Sequence, residues 1–185
     1  GDAEGCHFDK ASGQVRTPAG FKQAYSQFVE SGWSGLTASD ALGGQAMPES
    51  LACVFKEMID AACLSWGNYP LLSHGAVEAL KHHGNAWQQT VFLKPIVQGQ
   101  WTGTMCLTEP HCGSDLALLK SRATPNADGS YAVSGTKIFI TGGEHDLTDN
   151  IIHLVLARLP DAPAGVKGIS LFIVPKINVN QDGSL

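Results

Sequence analysis

The sequence has few basic residues and no long apolar run. Lys and Arg together number 12 against 17 Asp and Glu, and the net charge is −5 with His neutral. No cluster of basic side chains is dense enough to follow a phosphate backbone, so we expect no nucleic acid partner. A membrane-spanning helix needs roughly 20 apolar residues, whereas the longest apolar stretch, 151–159, is interrupted by His153 and Arg158. We therefore expect no membrane span.

Paired cysteines and a secretory signal are also missing. The five cysteines are odd in number and none form a CxxC pair, which argues against a disulfide framework and favours a reducing compartment. Residues 1–5 have neither the basic nor the apolar region of a secretory signal. Cys106, His111 and Cys112 match no common zinc spacing. We interpret these two thiols as buried and inert.

The first half of the sequence is helical in pattern. Apolar residues make up 43% of the chain, enough for a substantial core. Their recurrence at intervals of three and four predicts helices over 18–32, 48 to about 62, 70–84 and 86–97. We expect Thr17 to cap the first helix with Pro18 at its first position. Pro70 is expected to begin the third helix, Asn85 to cap the fourth, and Pro95 to kink the fourth or end it early.

The pattern changes near Gly99, and the rest of the chain is β-rich. Six strands are predicted, over 102–107, 118–123, 131–133, 136–141, 151–157 and 168–174. Asn126 to Gly129 provides the turn of a hairpin. The alternating polarity of 136–141 predicts that one of its faces is buried. Helices followed by separate strands indicate an α+β fold with two segregated domains, helical over 1–99 and β over 100–185.

One segment stands out chemically, the stretch MCLTEPHCGSD at 105–115. It predicts a strand that runs into a tight turn, where Gly113 allows a close approach of the backbone. Thr108, Ser114 and successive N–H groups of such a turn can face an anion or the polar edge of a ring. The residues alone leave a second interpretation open, an ordinary strand and turn in which Ser114 and Asp115 only cap.

Four stretches resemble the acyl-CoA dehydrogenase family. TEPHCGSD at 108–115 is similar to the family signature T-E-P-x-x-G-S-D, and KIFITGG at 137–143 to its K-x-W-I-T-N-G stretch. GWSGL at 32–36, followed by a Gly-Gly pair, resembles part of the N-terminal helical domain. GISLFIV at 168–174 resembles a strand that ends in Pro-Lys. The four occur in the family order and span most of the chain.

The resemblance implies a fold, a reaction and a cofactor. The fold is a partial N-terminal helical domain and a β-barrel-like middle domain, with the C-terminal helical domain absent from the sequence. The family holds FAD between its domains and oxidises an acyl-CoA thioester to the trans-2-enoyl-CoA, a glutamate removing the α-proton while hydride passes to flavin N5. The implied partners are acyl-CoA and electron-transfer flavoprotein or a similar acceptor. The implied assembly is a homodimer or homotetramer in the cytoplasm, or in the mitochondrial matrix of a eukaryote.

The resemblance also implies which residues bind FAD: Met105, Leu107, Thr108, Gly113, Ser114, Phe139, Ile140 and Thr141. Thr108 is expected at the pyrimidine edge of the flavin, where a donor stabilises the negative charge of the reduced ring. Ser114 is expected at the pyrophosphate and beside the thioester arm of CoA, which makes it a substrate-binding residue as well. Thr141 is expected near N5. Phe139 and Ile140 are expected to cover the other face of the ring, with core packing as the alternative.

Several positions depart from the commonest family pattern. Phe139 replaces the usual Trp, which keeps an aromatic cover without an indole N–H. Residues 143–148 and 159–167 look closer to the large family members that act on methylthiopropanoyl-CoA and related short acyl thioesters. Arg158 and Lys167 are candidates for the phosphates of CoA, with a plain solvated face as the alternative.

No catalytic residue is expected within the sequence. The family's base lies in the C-terminal region, which these 185 residues do not reach. Glu109 has the chemistry of a base, but Pro110 and the family pattern make it a structural residue beside the flavin. We expect the isolated chain to be inactive and to bind FAD weakly. A non-catalytic flavin- or ligand-binding paralogue and an acyl-CoA oxidase remain as alternatives.

Overall fold

The first half of the molecule is helical. A computed structural model describes residue 1 and residues 3–185 of the protein. A short ribbon comes first, formed by β1 (His7–Phe8) and β2 (Val15–Arg16). The helices are α1 (Phe21–Glu30), α2 (Glu49–His83), α3 (Ala86–Gln88) and α4 (Lys94–Val97), with 3₁₀ turns at Trp33–Gly35 and Asp40–Leu42.

Helix α1 begins later than the sequence predicts. Its N-cap is Gly20 in a left-handed conformation, and no side chain caps it. The prediction of Thr17 as the cap is therefore wrong. The N–H and hydroxyl of Thr17 both donate to Asp146, at 2.9 and 2.7 Å. These bonds tie Thr17 to a distant carboxylate, and the helix begins only at Phe21. The predicted end is confirmed, because Gly32 follows the helix with φ of 77° and donates to Val29.

Helix α2 joins two segments that were predicted to be separate. Pro70 lies inside it, and the one non-helical residue is Cys63, with φ of −162° and ψ of 92°. The kink at Cys63 agrees with the predicted end of the second helix near 62, whereas the predicted start of the third helix at Pro70 is wrong. An internal Pro costs a helix about 3 kcal/mol. Burial of Trp66, Val77 and Leu80 on the same helix offsets this cost.

The last helical stretch has the predicted cap. The Asn85 side chain accepts a hydrogen bond from the N–H of Gln88, and the Gln88 side chain accepts one from the N–H of Asn85, both at 2.9 Å. This capping box confirms the prediction for Asn85. A π-helical turn, Gln89–Leu93, lies between α3 and α4. The wider turn lies directly before Pro95, which lacks the N–H that a regular α-helix would use.

The second half is an open, mixed sheet of five strands. They are β3 (Trp101–Cys106), β4 (Arg122–Pro125), β5 (Tyr131–Ser134), β6 (Asn150–Arg158) and β7 (Ile169–Pro175). β6 is central: β7 lies antiparallel along one edge, β3 parallel along the other, and β4 joins that second edge at Arg158. β5 completes the predicted hairpin with β4. The sheet does not close on itself, so the expected mixed helix-and-sheet fold is confirmed while the barrel-like form is not.

Two predicted strands are displaced or missing. Residues 118–123 divide into a 3₁₀ turn, Leu116–Leu118, and the beginning of β4, because the Asp115 side chain caps that turn. Residues 136–141 form no strand. Phe139 has φ of 57°, which ends any extended conformation there. The predicted burial of one face of 136–141 is also wrong, since no residue in it is fully buried.

The sheet packs against the helices over one main core. A Cβ added to Gly103 on β3 would lie 2.3 Å from the Cβ of Ala76, so only glycine lets α2 cross the strand this closely. The core around this contact contains Ala76, Val77, Leu80, Val91, Phe92, Leu93, Ile96, Val97, Trp101, Ile152 and Leu154. None of the helices in the described residues is long and apolar enough to cross a bilayer. The proposed domain boundary near Gly99 stays a prediction.

Candidate functional site

Two loops meet at the end of β3. The first follows the strand and carries residues 107–115. The second, residues 137–148, precedes β6, which is the neighbour of β3 in the sheet. The N–H of Ile138 donates to the carbonyl of Thr108 at 2.9 Å. The Thr104 hydroxyl, on β3 itself, donates to the carbonyl of Thr141 at 2.7 Å. The motifs at 108–115 and 137–143, which the sequence relates only through their resemblance to one family, are therefore neighbours in space.

Glu109 anchors the first loop. It is 3% exposed, and its carboxylate accepts bonds from the N–H groups of Lys120 and Ser121 at 2.8 and 2.9 Å. The ammonium of Lys137 lies 2.9 Å away and also donates to the carbonyl of Leu107. Burial by itself raises the pKa of Glu109, but the bonds from Ser121, Lys137 and Lys120 outweigh it and lower that pKa to about 2. A carboxylate held in this way is a poor proton acceptor, which agrees with a structural role.

The predicted hydroxyls of the site are available to a ligand. Within the described residues, the side-chain hydroxyls of Thr108, Ser114 and Thr141 have no hydrogen-bond partner. Thr108 is half-buried, while Ser114 and Thr141 are exposed. A Cβ placed on Gly113 would lie 3.4 Å from the Thr108 methyl, which is ordinary contact. The first loop therefore turns back closely on Thr108.

The predicted apolar residues of the site have different environments. Met105 is 39% exposed and Phe139 is 88% exposed, whereas Leu107 and Ile140 are half-buried. Core packing, the alternative for Phe139, is excluded by this exposure. Phe139 also has a left-handed backbone, which is uncommon for a bulky residue and marks strain. An aromatic ring that is both strained and exposed is typical of a surface that receives a ligand or another part of a protein.

His145 is a site neighbour that the sequence did not single out. It is 2% exposed, and burial lowers its pKa to about 4. Its Nδ1 accepts from the N–H of Leu147 at 3.1 Å, and its Nε2 lies 2.9 Å from the hydroxyl of Thr102 on β3. Tyr69 of α2 meets the ring edge-on at 5.2 Å. The only sequence signal was that 143–148 departs from the commonest form of this loop.

The candidate CoA-binding residues differ from each other. Arg158 donates to the carbonyls of Leu119, Gly165 and Ala117 at 2.7 to 2.9 Å. Backbone carbonyls thus occupy the donors of its guanidinium. Arg158 is therefore neither free to bind a phosphate of CoA nor part of a solvated face. Lys167 is exposed and has no bonded partner in the described residues. Lys167 therefore remains a candidate.

A cluster of possible metal ligands lies on the first loop. Ligand atoms of Glu109, His111 and Cys112 lie within 4.8 Å of one another. The Lys137 ammonium already pairs with the Glu109 carboxylate, and its positive charge repels a metal cation at this position. The imidazole of His111 lies 3.0 Å from the carbonyl of Leu118. We interpret the cluster as part of the hydrogen-bonded loop. Cys112 and Cys106 are buried, as predicted.

The sequence of this chain matches known proteins over almost its whole length. Residues 8–100 match the acyl-CoA dehydrogenase N-terminal domain, and residues 104–183 match the middle domain of the same family. The chain is 48% identical over 183 residues to 3-methylmercaptopropionyl-CoA dehydrogenase of Ruegeria pomeroyi, covering 99% of this chain and 31% of that protein. It is 40% identical over 185 residues to a butyryl-CoA dehydrogenase of Syntrophomonas wolfei, covering 99% and 30%.

A solved structure agrees with these relatives. Butyryl-CoA dehydrogenase from Megasphaera elsdenii superposes with a TM-score of 0.74 at 27% identity, covering 84% of this chain and 40% of that one. The predicted resemblance to the methylthiopropanoyl-CoA branch is confirmed by the relative from Ruegeria pomeroyi. The chain spans about a third of the length of these relatives. On both sequence and structure, the chain belongs to the acyl-CoA dehydrogenase family.

Proposed function

We propose that the protein containing this chain is an FAD-dependent acyl-CoA dehydrogenase, and that the two loops at the end of β3 hold the flavin. The observation that carries the proposal is the joining of the two motifs by the bonds of Ile138 to Thr108 and of Thr104 to Thr141. These bonds bring together the two loops that carry the unbonded hydroxyls of Thr108 and Thr141 and the exposed ring of Phe139, groups that suit the polar edge and the apolar face of a flavin.

The residues present fit FAD chemically. An isoalloxazine ring has an apolar face and a polar edge. Phe139, Ile140 and Met105 offer apolar contact for the face. Thr108 and Thr141 offer hydroxyl donors for the edge, and Ser114 with Gly113 a donor and a close backbone for the pyrophosphate. FAD, when bound, would supply the two-electron redox chemistry that side chains lack. The residues of this chain would orient it and exclude water.

The acidic residues of the first loop do not provide the base. Glu109 stays charged in its ion pair, with a pKa of about 2, and Asp115 accepts the N–H of Ala117 at 3.1 Å. We propose that the group which removes the α-proton comes from outside these 185 residues. Ser114, exposed beside the flavin residues, would border the thioester.

The substrate proposal follows the relatives. Their names specify short acyl thioesters, including a sulfur-containing one. We propose that this protein oxidises a short acyl-CoA of the methylthiopropanoyl type and passes electrons to electron-transfer flavoprotein or a similar acceptor.

The test uses the full-length protein with its flavin. FAD content is measured after purification, and 3-(methylthio)propanoyl-CoA, butyryl-CoA and a long-chain acyl-CoA are then added without oxygen. We expect flavin bleaching that is fastest with a short thioester, and turnover with an artificial acceptor. FAD that is bound yet reduced by none of them would indicate a non-catalytic paralogue. Rapid reoxidation by oxygen with peroxide release would indicate an oxidase. Failure to take up FAD at all would refute the proposal.

A pair of variants tests the residues. Thr108→Val and Ser114→Ala should each raise the dissociation constant of FAD about tenfold, the effect of losing roughly 1.4 kcal/mol of hydrogen bonding. Ser130→Ala, in the exposed turn between β4 and β5, is the matched control and should leave the dissociation constant of FAD unchanged. An unchanged FAD affinity in both Thr108→Val and Ser114→Ala would remove these residues from the site.

A further inference from the structure

We infer that His145 is a positioning residue, which holds the loop carrying Phe139 and Thr141 in register against β3. The inference rests on the proposed function, because it concerns the flavin face of that site. His145 itself is buried and does not reach the surface that receives the ligand. Its effect on the chemistry therefore passes through the loop.

The geometry is an attachment at two points of one strand. At the first, the carbonyl of Thr141 accepts from the Thr104 hydroxyl at 2.7 Å. At the second, His145 Nε2 lies 2.9 Å from the hydroxyl of Thr102. Thr102 and Thr104 are two residues apart on β3, so their side chains project from the same face of the sheet. Five residues of loop, 141–145, are thereby fixed at both ends to a rigid strand.

The imidazole is held in one orientation and one tautomer. Nδ1 accepts the N–H of Leu147, so in the neutral ring the proton lies on Nε2 and is donated to Thr102. The Thr102 hydroxyl lies 3.5 Å from that of Thr148, which donates to the carbonyl of Asn150 at 2.8 Å. The bonds form one chain from the loop to the first residue of β6. Each buried polar group in this chain has a partner, which favours a single arrangement.

Neighbouring groups extend the attachment to the rest of the molecule. Tyr69 of α2 packs on the ring, and a Cβ on Gly142 would lie 3.4 Å from Tyr69. Glu144 accepts the His145 N–H at 3.0 Å and pairs with Lys176 at 2.5 Å. The second loop is therefore held from the helical half, from β3 and from the end of β7. A loop this constrained presents Phe139 and Thr141 at a fixed depth.

A variant pair separates positioning from stability. His145→Asn keeps an acceptor close to the Leu147 N–H but is too short to reach Thr102. Thr102→Val removes the hydroxyl from the other side, and Thr102→Ser restores it. The measurements use full-length apoprotein titrated with FAD and the holoprotein mixed with acyl-CoA. They give the dissociation constant of FAD, the visible spectrum of the bound flavin, and the rate of flavin reduction at saturating substrate.

We expect His145→Asn and Thr102→Val each to lower the reduction rate roughly tenfold, since a small displacement of a positioning group costs this much or more. The flavin spectrum should shift in both, while Thr102→Ser keeps the wild-type rate and spectrum. The double variant should resemble either single one, because both break the same bond. His82→Asn, at an exposed histidine of α2, is the control.

The outcomes distinguish the inference from the function on which it rests. Wild-type protein that binds and reduces FAD, together with variants that lose only thermal stability, would overturn the inference alone. Wild-type protein that takes up no FAD would overturn both. If His145→Asn does not fold, the comparison of Thr102→Val with Thr102→Ser decides the matter by the same measurements.

Discussion

The two loops at the end of β3 are each anchored by one buried titratable residue, but the two anchors have opposite charge states. Glu109 holds the first loop as a carboxylate, with two backbone hydrogen bonds and a lysine partner. His145 holds the second as a neutral ring, bonded only to neutral groups. Both side chains are buried, so the two anchors differ in charge and not in exposure. The fold therefore fixes both loops of the candidate site, the first through a charged anchor and the second through a neutral one.

The largest expected effect concerns the charged anchor. Glu109→Ala removes a buried carboxylate and leaves the Lys137 ammonium, which is also largely buried, without its partner. We expect a loss of about 3–5 kcal/mol in the free energy of unfolding, typical of breaking one side of a buried pair. Urea denaturation measures it. Glu57→Ala, at an exposed position of α2, is the control and should stay within about 0.5 kcal/mol. A loss below about 1 kcal/mol for Glu109→Ala would mean that charge does not anchor this loop.

The second prediction separates the two anchors by pH. The pKa of His145 is lowered to about 4 from 6.5, so between these values the unfolded chain binds a proton that the folded chain does not. The contribution of His145 to the free energy of unfolding is fully present above pH 6.5 and decreases as the pH falls towards 4. At about 1.4 kcal/mol per pH unit, the His145 contribution between pH 6.5 and 5 is about 2 kcal/mol.

The same sign applies to Glu109 in a lower window. Its pKa is lowered to about 2 from 4.5, so its contribution is lost only below pH 4.5. Urea denaturation at pH 6.5 and pH 5 therefore avoids the Glu109 window. Burial also lowers the pKa of His153, which contributes with the same sign in this range. His145→Phe should reduce the pH dependence to the part that His153 contributes, and Glu109→Gln should leave the full dependence in place. Equal slopes in wild type and His145→Phe would contradict a neutral buried imidazole.

A third prediction tests the attachment of the second loop to the N-terminal region. Thr17 is buried and its hydroxyl donates to Asp146, a contact with no counterpart in the first loop among the described residues. Thr17→Val should cost about 1 kcal/mol, the net value of one hydrogen bond. Thr17→Ser keeps the hydroxyl and should cost less. If the two variants are equally stable by urea denaturation, the bond does not hold the loop.

The smallest expected effect is a gain in stability. Phe139 has a left-handed backbone and an exposed ring, so folding gains little from its side chain. Phe139→Asn should stabilise the protein without FAD by about 0.5–1 kcal/mol, because Asn tolerates this conformation. Phe139→Leu, which keeps the strain, should not. In the same variants the affinity for FAD should fall. Stabilisation by Leu as well as Asn would show that strain is not the cause.

Local sequence signals predicted the elements that depend on neighbouring residues. Asn85 and Gln88 lie three residues apart and form the capping box that their order indicates. The turn after Asn126 closes the hairpin of β4 and β5, and the apolar runs of β6 and β7 become paired strands. In each case the partner is close along the chain or the burial is nearly complete. Such elements depend mainly on neighbouring residues, which is why local patterns predicted them.

The errors occurred where a distant partner takes a residue away from its local role. Thr17 has the chemistry of a cap, but Asp146, 129 residues later, accepts its bonds. Residues 136–141 have the alternation of a strand, but Lys137 is drawn to Glu109 and Ile138 to Thr108, and the chain turns at Phe139. Pro70 signals a helix start, but packing of α2 against the sheet continues the helix through it.

The sequence by itself determined the family, the mixture of helices and strands, and the two motifs that border the candidate flavin site. These are properties of residue types at fixed spacing. Only the tertiary structure decided that Glu109 is a charged anchor, that Arg158 is bound to the backbone, and that His145 holds a loop to β3. The reason is that a titratable side chain takes its state from burial and from bonded neighbours, and those neighbours are assembled only by folding.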